Sequence, residues 1–110
     1  EIQLESIQYT EFRLMAALAK GESPGPESSV LKTLSADIQQ QLTELSVEAV
    51  AEFAAAHQPG ARTVGADTAS IGNDDGKMAF TQYFNLRASS IAGGTNEVQK
   101  NIIAKMVLGL

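Results

Sequence analysis

Apolar positions along the chain fall into stretches of helical rhythm separated by segments with none. From Ile2 to about Lys20, Leu4, Ile7, Met15 and Leu18 recur at mostly helical spacing, and Phe12 and Leu14 widen the face. The spacing predicts an amphipathic helix with Glu1, Glu5 and Glu11 on a solvated side. The run Gly21-Glu22-Ser23-Pro24-Gly25-Pro26 breaks it, because prolines and glycines cannot continue a helix and Pro26 suits a first helical turn. Beyond this joint, Leu31, Leu34, Ile38, Leu42, Leu45 and Ala49 follow a three-four rhythm, with Lys32, Asp37, Gln40, Glu44 and Glu48 mostly between them. One long helix is expected from about Glu27 to His57, and about 30 residues of helix span about 45 Å. Such a helix runs the length of a bundle and leaves part of itself for a partner.

His57-Gln58-Pro59-Gly60 ends that rhythm, and Gln58 to Gly76 reads as one long loop rich in Gly, Asp, Ser, Thr and Asn. Loops of this length are usually functional, mobile or packed on a neighbour. A short helix is expected from Lys77 to Ser89, with Met78, Tyr83, Phe84 and Leu86 as its apolar contacts. A last helix is expected to start at Thr95, whose hydroxyl can accept a backbone N–H, with Glu97 near the positive end of the helix dipole. Its expected buried stripe is Val98, Ile102 and Met106, joined by Ile103. Lys100 and Lys105 take the wetter face and Gly109 caps the end. Four helical segments and no convincing strand period make the class all-α, as a helical bundle.

Composition narrows the function. With 110 residues, the chain is a single domain or a piece of one, and the absence of cysteine excludes a disulfide framework and cysteine metal sites. A net charge of -5 argues against a nucleic-acid surface. No apolar run approaches the roughly 18 residues of a membrane span. The first residues look like the interior of a helix and not like a signal peptide, so the chain is expected to begin within a longer protein.

The most specific stretch is Ile91-Ala92-Gly93-Gly94-Thr95-Asn96-Glu97-Val98-Gln99, where two glycines let a backbone turn approach another body closely. From the residues alone, the glycines end one helix and Thr95 caps the next, or the N–H groups there face a cofactor or thioester. The stretch resembles the closing motif of the acyl-CoA dehydrogenases, Ile-x-x-Gly-Thr-x-Glu-Ile-Gln. The resemblance extends from about Leu14 through Pro24-Gly25-Pro26-Glu27-Ser28-Ser29-Val30-Leu31-Lys32 to the ending Asn101-Ile102-Ile103-Ala104-Lys105-Met106-Val107-Leu108-Gly109-Leu110, and is weakest between Ala51 and Gly76.

The resemblance implies that residues 1–110 are part of the C-terminal up-and-down four-helix bundle of such a protein, without the bundle's first helix. It also implies an FAD-dependent enzyme that oxidises an acyl-CoA thioester to the 2-enoyl form and passes electrons to an electron-transfer flavoprotein. The family implies a homo- or hetero-tetramer, a dimer of dimers, placed in the cytoplasm of a bacterium or in the mitochondrial matrix of a eukaryote. Carried onto this chain, Ile91, Thr95, Asn96 and Glu97 are the cofactor-binding candidates and Gly94 presents an N–H to the thioester carbonyl. Gly93 stands where many members have the catalytic glutamate, so no catalytic residue is assigned here. The base then comes from the preceding helix, or this subunit supplies structure while another supplies chemistry. A second departure is Glu48-Ala49-Val50-Ala51-Glu52-Phe53-Ala54, where the family often has Gln-x-x-Gly-Gly-x-Gly against a neighbouring subunit's flavin. A non-catalytic assembly subunit and an unrelated helical interaction domain are the alternatives.

Other polar residues carry less. His57 is expected to cap a helix end or face solvent, and Asp74-Asp75-Gly76 lacks the remaining spacing of a calcium loop and reads as a turn. Arg87 is either an ordinary surface residue or a contact to CoA or a neighbouring subunit. Met15, Met78 and Met106 are packing residues.

Overall fold

A computed structural model describes residues 1–65 and 67–110, with the backbone alone at Asp75. Ala66 within the expected long loop, and the Asp75 side chain within the expected Asp74-Asp75-Gly76 turn, therefore lie outside the described residues. The structure is all-helical: α1 (Ile2–Ala19), α2 (Glu27–Val50), α3 (Ala79–Leu86) and α4 (Asn96–Ile103), with no strand among the described residues. Short 3-10 segments lie at Ala51–Ala55, Gly60–Arg62, Asp74–Met78 and Arg87–Ser90, and a π turn at Ala104–Leu108 follows α4. The chain divides into two compact units, one of residues 1–38 with 89–110, the other of residues 39–88.

In the first unit, α1 ends where the joint begins. The Lys20 and Gly21 N–H groups donate to the Ala17 and Leu18 carbonyls at 3.0 and 2.9 Å, and Glu22 N–H closes on Ala17 O at 3.2 Å. The Pro26 carbonyl opens α2 by accepting from Ser29 and Val30, both at 3.1 Å. Proline has no N–H to lose at that position, which is why the helix starts there. The expected apolar face of α1 is only partly covered: Ile7 and Leu14 are half-buried, α1 has no fully buried residue, and Leu4, Phe12 and Met15 are each 57% exposed.

On α2 the packed stripe differs from the expected one. Ser29 and Ala36 in the first unit, and Thr43 in the second, are buried, at a seven-residue spacing that keeps them on one face. Of the expected apolar stripe, Leu31 and Ile38 are half-buried, whereas Leu34, Leu42 and Leu45 are exposed. Small side chains let other backbone come close enough for polar contacts, whereas the leucines would hold it away. α4 and the π turn after it show the same displacement: Val98, Ile102 and Met106 are exposed, while Asn96, Gln99 and Ile103 are the more covered positions. The cause is polar, since Asn96 and Gln99 are both hydrogen-bonded within the unit. The end of the chain follows expectation, with Gly109 closing the π turn through its N–H to Lys105 O at 3.2 Å.

In the second unit, the α-helix ends at Val50, not at His57. Ala51 has φ 53°, the one non-glycine residue with positive φ among those described. The periodic leucines stop at Leu45, and the turn that follows places Ala54 inside. The expected loop contains a 3-10 turn at Gly60–Arg62 that buries Ala61, and the expected helix from Lys77 to Ser89 is α only at Ala79–Leu86, with 3-10 turns on both sides. Phe80, Tyr83 and Phe84 on α3 form an aromatic cluster, with Phe80 and Phe84 edge to face at 4.7 Å between ring centroids. Edge-to-face pairs place the positive rim of one ring on the negative face of another.

Candidate functional site

The glycine-threonine turn of the first unit is built from its own backbone outward. Gly93 and Gly94 have φ 69° and 92°, a left-handed pair that a β-carbon disfavours. Thr95 returns to extended backbone (φ -62°, ψ 156°) and caps α4, its Oγ1 accepting from the Val98 N–H at 3.3 Å. The Thr95 carbonyl accepts the Gln99 N–H at 3.0 Å. The Gln99 side chain then reaches back, donating from Nε2 to the Gly93 carbonyl at 3.2 Å. A β-carbon at Gly94 would lie 2.9 Å from that Nε2, whereas one at Gly93 would meet nothing within 4 Å. The two glycines thus answer different demands: Gly94 makes room for Gln99, and Gly93 faces open space.

The electrostatics come from three side chains around the turn. The exposed Glu97 carboxylate is held below the ordinary glutamate range by its own backbone N–H, then by the Thr95 hydroxyl, with smaller help from Lys100 and Lys32 against a small desolvation cost. It stays ionised near neutral pH and is a poor proton acceptor. Lys32, on α2, donates from Nζ to Asn96 Oδ1 at 2.9 Å and to the Ser90 carbonyl at 3.3 Å. It therefore touches residues on both sides of the two glycines.

Of the candidate residues, Gly93, Gly94, Thr95, Asn96 and Glu97 share this one turn. Asn96 does not point its carbonyl outward, because Lys32 occupies it. Ile91 is exposed. Lys32 stands among the polar positions between the apolar ones of α2, and its part in the turn is not legible in a rhythm of leucines. A signal was available in the small residues Ser29 and Ala36, three before and four after Lys32, which mark the face of α2 that backbone can approach.

Arg87 is half-buried and its guanidinium is engaged within the second unit. Within the second unit its guanidinium donates to Glu44 Oε1 at 2.7 Å, to the Gln40 carbonyl at 2.9 Å and to Thr43 Oγ1 at 3.1 Å. It also sits 4.4 Å from the Tyr83 ring centroid. In return Gln40 Nε2 donates to the Arg87 carbonyl at 3.2 Å. A planar fork with several donors suits this set better than a lysine ammonium would. The same unit holds an open cleft of about 380 Å³ flanked by His57, Arg62, Lys77, Phe80 and Phe84. His57 is exposed at its edge, and the described residues contain no group of three or more acidic or histidine side chains that could hold a metal.

At the second departure from the flavin motif, Ala51 keeps a left-handed backbone without glycine, and Glu48 and Glu52 beside it are exposed. No helix among the described residues is long and apolar enough to cross a membrane. A family model described as acyl-CoA dehydrogenase, C-terminal domain, matches residues 1–108. Neither the curated proteins nor the solved structures give a match.

Proposed function

Because this chain belongs to the acyl-CoA dehydrogenase family, we propose that it is part of the C-terminal helical domain of an FAD-dependent acyl-CoA dehydrogenase. In this reading the full-length protein removes hydrogen across the α and β carbons of an acyl-CoA thioester, and the turn at residues 90–97 contributes flavin and substrate contacts. The single observation that carries it is the geometry of that turn: two left-handed glycines, open space beside Gly93, and a capped helix start directly after.

These residues fit a flavin approaching from outside, since the Gly93 backbone is uncrowded and the Thr95 hydroxyl and Glu97 carboxylate offer polar partners beside it. When bound, the flavin accepts the β-hydrogen with its electron pair. The backbone N–H of Gly94 donates to the thioester carbonyl and so steadies the negative charge that grows there as the α-proton leaves. Glu97 positions and does not take that proton, because its neighbours favour its ionised form. The proton acceptor is not at position 93, where glycine has no side chain, and it lies on a helix outside these residues or on another subunit. Electrons leave to an electron-transfer flavoprotein, and the exposed leucines of α2 contribute to a tetramer.

A second reading, a supporting subunit in a heteromeric dehydrogenase, is favoured by Gly93 together with the segment at residues 48–54. A β-carbon at Ala51 and carboxylates at Glu48 and Glu52 oppose the close approach of a pyrophosphate. The test is flavin content and acyl-CoA-dependent bleaching of the full-length polypeptide purified without a partner. Stoichiometric flavin that bleaches with thioester supports an enzyme complete in itself. Flavin that binds only after a sister subunit is added supports the second reading, and no flavin in either state overturns both.

A further inference from the structure

Lys32 is separated from its two acceptors by 58 and 64 residues of sequence, yet one ammonium group joins them. Ser90 lies just before the flexible part of the turn and Asn96 just after it, so the contact spans Gly93 and Gly94 from outside. Two consecutive glycines leave that backbone many conformations, and the turn's second half is held by bonds of its own: Gln99 holds the Gly93 carbonyl, and Thr95 holds Val98 and Gln99. All three partners are half-buried, where losing the donor leaves two carbonyl oxygens short of a hydrogen bond.

We propose that Lys32 is the positioning residue of the 90–96 turn, bracing its two ends so that the Gly93 and Gly94 N–H groups hold one orientation toward flavin and thioester. The proposal rests on the assignment of that turn to the flavin and substrate site. It also reassigns Asn96: its carbonyl belongs to Lys32, and it acts on the cofactor through the turn and not by touching it. Lys32 is charged, and its Coulombic influence reaches Glu97, so the brace also places a positive charge behind the polar edge of the site.

The experiment compares the full-length protein with Lys32→Met, which keeps the length of the side chain and removes its donors, and with Lys32→Arg. Hydrogen exchange read by mass spectrometry follows the peptide containing the Val98 and Gln99 amides, and titration of the apoprotein with FAD gives its dissociation constant. Lys32→Met is expected to speed exchange at those amides about tenfold, with the rest of the chain unchanged, and to weaken FAD by a similar factor. Lys32→Arg is expected to recover most of both. Asn96→Ala should reproduce the effect, and adding it to Lys32→Met should change little more, as two halves of one contact do. If Lys32→Met does not fold, Asn96→Ala alone decides.

Unchanged exchange in residues 91–99, or faster exchange throughout the chain, overturns the proposal. Local loosening with an unaltered FAD constant also overturns it, by separating the turn from the cofactor. A wild-type protein that binds no FAD with or without a partner instead retires the flavin reading, and the exchange comparison still decides whether Lys32 braces the turn.

Discussion

Ala51 is held at φ 53°, where a β-carbon crowds the following carbonyl at a cost of roughly 1–2 kcal/mol. Replacing it with glycine removes that cost and adds about 0.4–1 kcal/mol of unfolded-state entropy in the other direction. Relief wins, so Ala51→Gly is expected to stabilise the protein by about 0.5–1 kcal/mol, seen as a higher denaturant midpoint with an unchanged slope. A lower midpoint would mean that the residue is not strained. The glycines of the turn run the other way. Gly93→Ala meets only the left-handed backbone and is expected to cost about 1 kcal/mol, whereas Gly94→Ala also pushes aside the end of the flexible Gln99 side chain and should cost a few tenths of a kcal/mol more. Equal losses in thermal unfolding would show that the Gln99 contact adds nothing.

At the scale of elements, the helix ends were legible where local chemistry sets them. Prolines and glycines open α2, Thr95 caps α4 and Gly109 closes the last turn, because each acts on backbone within four residues of itself. Propensity does not give the end of α2, since alanine has the highest helical propensity; the one sign of a left-handed residue is that position 51 falls on a glycine of the resembling motif. The packed faces of α2 and α4 were not legible either. A leucine rhythm shows which face is apolar, but Lys32 and Asn96 select a different face through a contact 64 residues apart.

The cap on α4 makes two predictions of its own. Thr95→Ala is expected to cost about 1 kcal/mol. Glu97 has a folded pKa lowered from 4.5, so its contribution is fully present above the unfolded value and is lost as pH falls through the lower folded value. Glu97→Gln should therefore flatten the loss of stability with acid in the window from 4.5 downward, measured by urea unfolding at stepped pH. An acid limb identical in both proteins would place that dependence on other carboxylates.

For the whole molecule, the most informative quantity is what lies outside. Leu34, Leu42 and Leu45 on α2, Val98 and Ile102 on α4, and Met106 in the π turn after it are exposed in this chain, and solitary proteins seldom leave so many large apolar groups in water. Leu45→Glu is expected to lower the assembly mass seen by light scattering while leaving far-ultraviolet circular dichroism unchanged, because Leu45 is already 59% exposed in the chain by itself. An unchanged mass would remove that face from the oligomer contacts. The buried apolar side chains among the described residues are all alanines: Ala36, Ala54, Ala61 and Ala79. Each buries little more than a methyl group, so much of the apolar burial within this chain comes from half-covered side chains such as Leu14, Leu31, Ile38 and Leu86. In the proposed tetramer a neighbour covers the exposed leucines, folding is linked to association, and dilution is expected to act as a denaturant: the melting temperature falls as protomer concentration falls, at constant sequence and constant solvent.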